Sequence, residues 1–137
     1  MSCTFCAIVA GDEPADVVLD TPEVLAFLDT RPVFKGHVLV VPRVHIRDLV
    51  ELPDDLVAPL FTAARSVAAA VPGALGAQGS FVAMNNTVSQ SVPHLHVHVV
   101  PRTKGDGLRG FFWPRVKYAS GEPSRYAACL RAELARG

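Results

Sequence analysis

The chain has 137 residues, half of them hydrophobic, and its 13 lysines and arginines balance 13 aspartates and glutamates. This length and apolar content predict a single domain over residues 1–137, and the zero net charge argues against a nucleic acid polymer or a membrane as a partner. An odd number of cysteines, three, is not typical of a disulfide framework. The N-terminus lacks the features of a signal peptide, and no apolar run approaches the roughly 20 residues that span a bilayer. We therefore expect a cytoplasmic protein.

The first predicted element is a short helix over residues 3–10, ended by Gly11. Such a helix places Cys3 and Cys6 one turn apart on the same side. The Cys-x2-Cys spacing is a common half of a zinc site, but two small buried hydrophobic side chains would give the same pattern. The segment alone leaves both interpretations open.

Three short strands are predicted next. Residues 16–20 and 23–28 favour a hairpin, and residues 36–42 favour a third strand in which His37 shares a face with alternate apolar residues. The polar loop at 29–32 is either turn chemistry or a ligand contact. A lone histidine is more often a structural residue than a ligand, and His37 alone does not separate the two.

The longest predicted helix runs from Asp54 or Asp55, either of which can cap its start, to Val71. Its apolar residues have the spacing of one helical face, which indicates packing against a core. The Pro72-Gly73 pair is expected to end it. This alanine-rich helix is predicted to support the core without taking part in chemistry.

The last predicted elements are a fourth strand over 80–84 and a terminal helix over 124–136. The loop at 85–91 is rich in neutral hydrogen-bonding side chains, which suit contacts to a phosphate or ribose but also occur in plain connections. Residues 102–117 mix cationic and aromatic side chains, a pattern typical of phosphate or base contact or of a solvated loop. Short strands in hairpins without βαβ alternation predict an α+β fold with an antiparallel sheet, one long helix and a C-terminal helix.

Three of the five histidines, His94, His96 and His98, alternate with apolar residues. The period of two predicts a strand with all three histidines on one face. Imidazole titrates nearest neutrality, so the row suits proton handling, metal ligation or nucleophilic attack. One catalytic zinc held by all three is a weaker interpretation, because the first and third lie roughly 13 Å apart on a straight strand.

The segment Gln90-Ser91-Val92-Pro93-His94-Leu95-His96-Val97-His98-Val99-Val100 matches the His-x-His-x-His-x-x signature, with x apolar, of the histidine triad (HIT) superfamily. Residues 26–29 and 36–45 and the Cys-x2-Cys pair also resemble that family, so the resemblance covers about residues 3–102. It implies an α+β domain, usually a homodimer. It also implies an enzyme that hydrolyses or transfers nucleoside monophosphates from phosphoramidates, dinucleoside polyphosphates or related esters.

The resemblance implies roles for individual residues. His96 resembles the nucleophile that takes the nucleotidyl group, with His98 and His37 as its supporting histidines. The positions that border the nucleotide are Asp29, Thr30, Asn85, Ser89, Gln90 and Ser91, together with His96 and His98. A neutral imidazole is a competent nucleophile at pH 7. Hydrogen bonds can stabilise the phosphoryl oxygens, so no catalytic metal is required.

The resemblance also implies a structural zinc, because two thiolates and two imidazoles make a closed tetrahedral set. Its ligands are Cys3, Cys6, His45 and His94. In one respect the chain departs from the better-known branches, whose loop before the histidines is rich in glycine. The loop here has none, which leaves open whether Asn85 or Asn86 contacts the ligand.

Two alternatives to the nucleotidyl-transfer mechanism stay open. A non-catalytic nucleotide-binding or scaffold module would use the same residues without a covalent intermediate, and a zinc-dependent metallohydrolase is the weaker alternative. The sequence does not choose the base, the leaving group, the physiological substrate or between hydrolysis and transfer. It also leaves open whether residues 109–113 contact substrate or form a dimer surface.

Overall fold

The computed structural model describes residues 2–108 and 115–137, and it divides into two compact units, Met1–Asp106 and Gly107–Gly137. Among the described residues, the first unit holds five strands, two helices and a short 3₁₀ turn, and the second holds one helix. The segment 109–113 singled out from the sequence lies outside the described residues. The elements are α1 (Thr4–Ala10), β1 (Val17–Asp20), β2 (Val24–Leu28), β3 (Val38–Pro42), the 3₁₀ turn (Leu49–Glu51), α2 (Asp54–Leu75), β4 (Gly79–Ala83), β5 (Val97–Arg102) and α3 (Glu122–Arg136).

The five strands form one sheet in the order β1-β2-β3-β5-β4, and every neighbouring pair is antiparallel. The predicted α+β class with an antiparallel sheet, a long helix and a C-terminal helix is confirmed. The early helix is also confirmed: α1 ends where Gly11 takes the left-handed conformation (φ 83°) that glycine adopts at little steric cost.

The sheet packs on both faces because successive side chains of a strand point to opposite sides. One face packs against α2, and its fully buried strand residues include Val40, Val97 and Val99. The other face packs against α1, where Phe5 meets Leu39 and neighbouring apolar residues of β2 and β3. The histidines therefore lie on the α1 face, opposite the main core.

Helix α2 differs from its prediction at both ends. Its N-cap is Pro53, without a side-chain capping bond, and the predicted aspartate cap is therefore wrong. The predicted stop at Pro72-Gly73 is also wrong, because the helix continues to Leu75 and ends at Gly76. Pro72 removes one backbone donor but keeps its carbonyl, which accepts a hydrogen bond from the Gly76 amide at 2.9 Å.

By length and composition alone, helix α2 is long and apolar enough to cross a membrane, contrary to the expectation that no apolar run approaches that length. Core helices of globular domains meet the same criterion. Here one face of α2, including Leu60 and Val67, is buried against the sheet. The buried face of α2 therefore accounts for part of its apolar character.

The histidine segment is regular strand only from Val97 onward, so the predicted start of that strand was three residues early. Before it, the Leu95 amide donates to the Ile46 carbonyl at 2.7 Å, and the His94 amide donates back to Val92. The predicted alternation still holds, since Leu95 and Val97 are fully buried on the α2 side. The irregular start lets His94 reach a different set of partners from His98.

Candidate active site and candidate metal centre

A cavity of about 650 Å³ opens on the α1 face of the sheet, a size typical of small-molecule sites. Its apolar wall comes from α1, from the strands behind it and from one residue before β5: Phe5, Ile8, Phe27, Leu28, Leu39 and Val92. Its polar residues include Glu13, Asp29, Thr30, Arg31, Ser91, His96 and His98. The cavity thus joins an apolar surface that suits a nucleobase to a polar end that contains two of the three clustered histidines.

His96 is 3% exposed, and its hydrogen bonding defines its tautomer. The Nδ1 atom lies 2.8 Å from the His94 carbonyl oxygen. A carbonyl only accepts, so Nδ1 carries the proton and donates. The lone pair is therefore on Nε2 of a ring that lines the cavity. This is the form that a histidine nucleophile needs.

His37 and His98 form a short relay on the adjacent strands. The Val33 amide donates to His37 Nδ1 at 3.1 Å, so the proton of the neutral ring is on Nε2. His37 Nε2 then donates to His98 Nδ1 at 2.9 Å. The proton of His98 is consequently on Nε2, where it can donate to a ligand. The rings of His96 and His98 lie 5.0 Å apart between centroids.

Burial keeps this relay neutral. It lowers the pKa of His98 to about 4, with the neighbouring imidazoles of His96 and His37 adding to the effect. Burial also lowers the pKa of His37, although the Asp29 carboxylate, 3.7 Å away, opposes it. Both rings are therefore uncharged at neutral pH, as the donor-to-acceptor relay requires.

The structure brings together part of the predicted nucleotide set. Asp29, Thr30 and Ser91 line the same cavity as His96 and His98. Asp29 is held in place by a hydrogen bond from the Arg31 amide to its Oδ1 at 2.9 Å. Arg31 itself and Glu13 also line the cavity. Glu13 was not predicted, and Arg31 was predicted only as part of the polar loop at 29–32, because single charged residues are common on protein surfaces.

The other residues predicted to contact the nucleotide are Asn85, Ser89 and Gln90. They form hydrogen bonds within the 85–91 loop or to the segment that packs beneath it. The Asn85 amide donates to the Ser89 carbonyl at 3.2 Å, and the Gln90 amide donates to the Arg47 carbonyl at 2.6 Å. Of the described residues in this loop, Ser91 is the one that lines the cavity. The structure thus places Asn85, Ser89 and Gln90 in positions that shape the loop.

The same loop holds two non-glycine residues in the left-handed region, Thr87 (φ 69°) and Ser89 (φ 61°). Such residues are strained and need support from their surroundings. The Asn86 side chain accepts from the Leu49 amide at 2.8 Å, and the Thr87 hydroxyl lies 3.5 Å from the buried Asp48 carboxylate. These contacts stabilise the conformation of this loop, which contains no glycine.

The predicted metal ligands form a second, separate cluster: Cys3, Cys6, His45 and His94. Their candidate ligand atoms all lie within 4.8 Å of one another. His94 Nδ1 is 3.5 Å from the sulfurs of both cysteines, and His45 Nδ1 is 3.3 Å from Cys6 Sγ. Two α1 residues thus meet two histidines from distant parts of the chain.

The geometry of this cluster fits zinc. Bond lengths of about 2.3 Å to sulfur and about 2.0 Å to nitrogen place tetrahedral ligands roughly 3.5 Å apart, as the sulfur–nitrogen distances here do. His94 Nε2 donates to the Pro42 carbonyl at 2.8 Å, which leaves the Nδ1 lone pair facing the sulfurs. Burial and the adjacent Cys3 raise the pKa of the Cys6 thiol in the absence of a cation.

The three clustered histidines are thus divided between two sites. Asp29, His37 and His98 make the other group of described residues whose ligand atoms lie within 4.8 Å of one another, and His96 belongs to neither group. His94 shares its cluster with cysteines, not with His98. A single zinc held by His94, His96 and His98 therefore has no support in the described part of the chain.

Comparisons with known proteins identify relatives of this chain. A family model for the HIT domain matches residues 10–105. Protein hit of Bacillus subtilis is 42% identical over 115 residues, which are 82% of this chain and 79% of that protein. Adenosine 5'-monophosphoramidase of Schizosaccharomyces pombe is 37% identical over 116 residues, 83% of this chain and 84% of that protein.

Solved structures show the same fold. The crystal structure of a member of the HIT family from Bacillus subtilis superposes with a TM-score of 0.87 at 35% identity, covering 96% of both chains. A zinc-bound histidine triad family protein from Mycobacterium smegmatis superposes with a TM-score of 0.76 at 38% identity, covering 99% of this chain and 97% of that one. The resemblance inferred from the histidine run is confirmed, and the chain belongs to the histidine triad (HIT) family.

Proposed function

We propose that this protein is a nucleotidyl hydrolase or transferase that forms a covalent nucleotidyl-histidine intermediate on His96. The observation that carries the proposal is the hydrogen bond from His96 Nδ1 to the His94 carbonyl, which leaves the Nε2 lone pair on a ring that lines the cavity. The relative from Schizosaccharomyces pombe, named adenosine 5'-monophosphoramidase, supports a nucleoside phosphoramidate as the substrate class.

The reaction follows from these positions. His96 Nε2 attacks the α-phosphorus, a nitrogen–phosphorus bond forms, and the bond to the leaving amine breaks as that amine takes up a proton from solvent water. The His98 Nε2 proton stabilises the charge on a phosphoryl oxygen, since phosphoryl transfer depends mainly on positioning and electrostatic stabilisation. Water or another acceptor then attacks the phosphorus and releases His96. None of these steps uses a metal ion.

The apolar wall and the Asp29 carboxylate account for the nucleoside end of the substrate. Phe5 and Phe27 offer aromatic surface to a base, and the Asp29 side chain, fixed by the Arg31 amide, can accept hydrogen bonds from ribose hydroxyls. Dinucleoside polyphosphates and related esters share the same nucleoside monophosphate part. They are therefore further candidate substrates.

We also propose that the Cys3, Cys6, His45 and His94 cluster holds a zinc ion with a structural role. When bound, the ion would neutralise the thiolates and tie α1 to the segments that carry the two histidines. The zinc-bound relative from Mycobacterium smegmatis supports this assignment. A homodimer and a cytoplasmic location stay predictions of the sequence.

The experiment is turnover of adenosine phosphoramidate by the wild type and by His96→Ala. We expect the variant to lose at least a thousandfold in kcat, because the nucleophile itself is gone. Circular dichroism and zinc content, unchanged from the wild type, are the control for folding. A folded His96→Ala protein with wild-type turnover would contradict the proposal. An inactive wild type that still binds nucleoside monophosphate would favour the binding-module alternative.

A further inference from the structure

Helix α1 is shared between the metal cluster and the cavity. Cys3 caps the helix and accepts a hydrogen bond from the Cys6 amide at 3.4 Å. Both cysteines belong to the metal cluster, while Thr4, Phe5 and Ile8 of the same helix line the cavity. A helix of seven residues cannot shift at one end without moving the other.

Phe5 is the residue of α1 that contacts both sites. It is 7% exposed, and its ring meets the rings of His94 and His96 edge to face, at centroid distances of 5.9 and 5.1 Å. Its interplanar angle with His96 is 84°, close to the perpendicular arrangement that aromatic pairs favour. Phe27 braces Phe5 on the sheet side at 5.5 Å.

The His96 ring needs this second contact. The hydrogen bond at Nδ1 selects the tautomer only while the imidazole keeps its orientation, because small rotations about the Cα–Cβ and Cβ–Cγ bonds lengthen and weaken that hydrogen bond. Packing by Phe5 restricts these rotations, and the nucleophilic Nε2 is then held in one direction. A reacting atom must be placed within a fraction of an ångström for efficient attack.

We propose that Phe5 is a positioning residue for the His96 imidazole, and that α1 transmits the occupancy of the Cys/His cluster to His96. This inference rests on the proposed function, because it assumes that His96 is the nucleophile. It assigns the metal cluster a second effect besides stability, namely the orientation of a ring in the neighbouring active site. It also assigns Phe5 a task distinct from that of a cavity wall.

The first experiment compares Phe5→Leu with Val9→Ala in the metal-loaded protein. Leucine keeps apolar bulk but removes the aromatic edge, and Val9 packs in the same α1 core but is not one of the residues that line the cavity. We expect kcat to fall roughly 10- to 100-fold in Phe5→Leu, and by more than KM rises. Val9→Ala should stay near wild type. A Phe5→Leu protein with an altered KM and an unchanged kcat would reduce Phe5 to a wall residue.

The second measurement is the ¹⁵N NMR spectrum of the His96 imidazole in protein free of nucleotide. We expect the wild type to show the Nδ1-protonated tautomer and Phe5→Leu to show averaged tautomers. Chelation of the metal should move the wild-type signals in the same direction and change those of Phe5→Leu little. Signals of His96 that are identical in all four samples would overturn the proposal. If chelation unfolds the protein by circular dichroism, the two metal-loaded samples decide.

The outcomes separate this inference from the proposed function. A dead His96→Ala together with a fully active Phe5→Leu and unchanged His96 signals would remove the positioning role alone. An active His96→Ala would remove the covalent mechanism, whatever Phe5 does. Loss of kcat in Phe5→Leu with averaged His96 tautomers supports both.

Discussion

Two neighbouring clusters of histidines in this protein differ in their chemistry, although the short segment 94–98 contributes residues to both. His94 faces two sulfurs and His45, in a closed set of four ligands. His96 and His98, two and four residues later, face a cavity of about 650 Å³. The first cluster suits an ion that stays bound, and the second suits a substrate that comes and goes.

The three histidines differ in which ring nitrogen is engaged in a hydrogen bond within the protein, and this sets the role left to the other nitrogen. His94 Nε2 donates to the Pro42 carbonyl, so its lone pair is on Nδ1. His96 Nδ1 donates to the His94 carbonyl, so its lone pair is on Nε2. His98 Nδ1 accepts from His37, so its Nε2 is a donor. In the proposed function, these three identical side chains serve as a ligand, a nucleophile and a hydrogen-bond donor, and backbone and neighbouring contacts set the role of each.

Among the residues that support His96, the largest effect should come from removing the donor at His98. His98→Leu loses the Nε2 proton, and we expect kcat to fall about 100-fold, the cost typical of one lost donor to a developing negative charge. His98→Gln keeps an N–H group and should recover part of that loss. Steady-state kinetics on adenosine phosphoramidate measure both. Equal rates for His98→Leu and the wild type would exclude His98 from the reaction.

Removing a ligand from the metal cluster should lower the stability of the protein. Cys6→Ala removes one ligand, and the free energy of unfolding should fall by about 3–4 kcal/mol at free zinc between about 100 and 1,000 times Kd. The matched control is Cys129→Ala, because Cys129 is an exposed cysteine of α3. Zinc content and urea unfolding measure the effect. A Cys6→Ala protein that retains one tightly bound zinc would contradict the assignment of the cluster.

A smaller effect should appear on acidification. His98 has a folded-state pKa of about 4, below the unfolded value of 6.5, so the unfolded chain binds more protons between these values. Stability should therefore fall as the pH drops from about 6.5 to 4. The ring is partly exposed, and screening limits the loss to about 1–2 kcal/mol. Urea unfolding at pH 7 and pH 5 should show that the free energy of unfolding changes less with pH in His98→Gln than in the wild type. An equal change in both proteins would exclude His98 as the origin of the effect.

Local patterns were enough to predict much of this molecule. The period of two around His96 predicted the buried row of Leu95 and Val97, and glycine after residue 10 predicted the end of α1. These features depend on neighbours in sequence. The family resemblance, carried by the histidine run, supplied the fourfold cysteine and histidine set, which the structure then brings together.

Features that depend on distant contacts could not be predicted. The side-chain amide of Gln90 donates a hydrogen bond to the Arg47 carbonyl, 43 residues away. No local pattern in the sequence indicates this contact. The packing of Phe5 on His96 joins residues 91 positions apart, and the apolar run around Phe5 predicts only burial. Helix α2 passes through Pro72 because packing of its neighbours on the sheet overrides a local stop signal.

The state of His96 during turnover tests the central claim most directly. Adenosine phosphoramidate is mixed with the enzyme, the reaction is quenched within a turnover, and peptides are mapped by mass spectrometry under conditions that preserve phosphorus–nitrogen bonds. We expect one adenylyl group on the peptide that contains His96, and none in His96→Ala. Turnover without an adduct, or an adduct on His94 or His98 instead, would contradict the account.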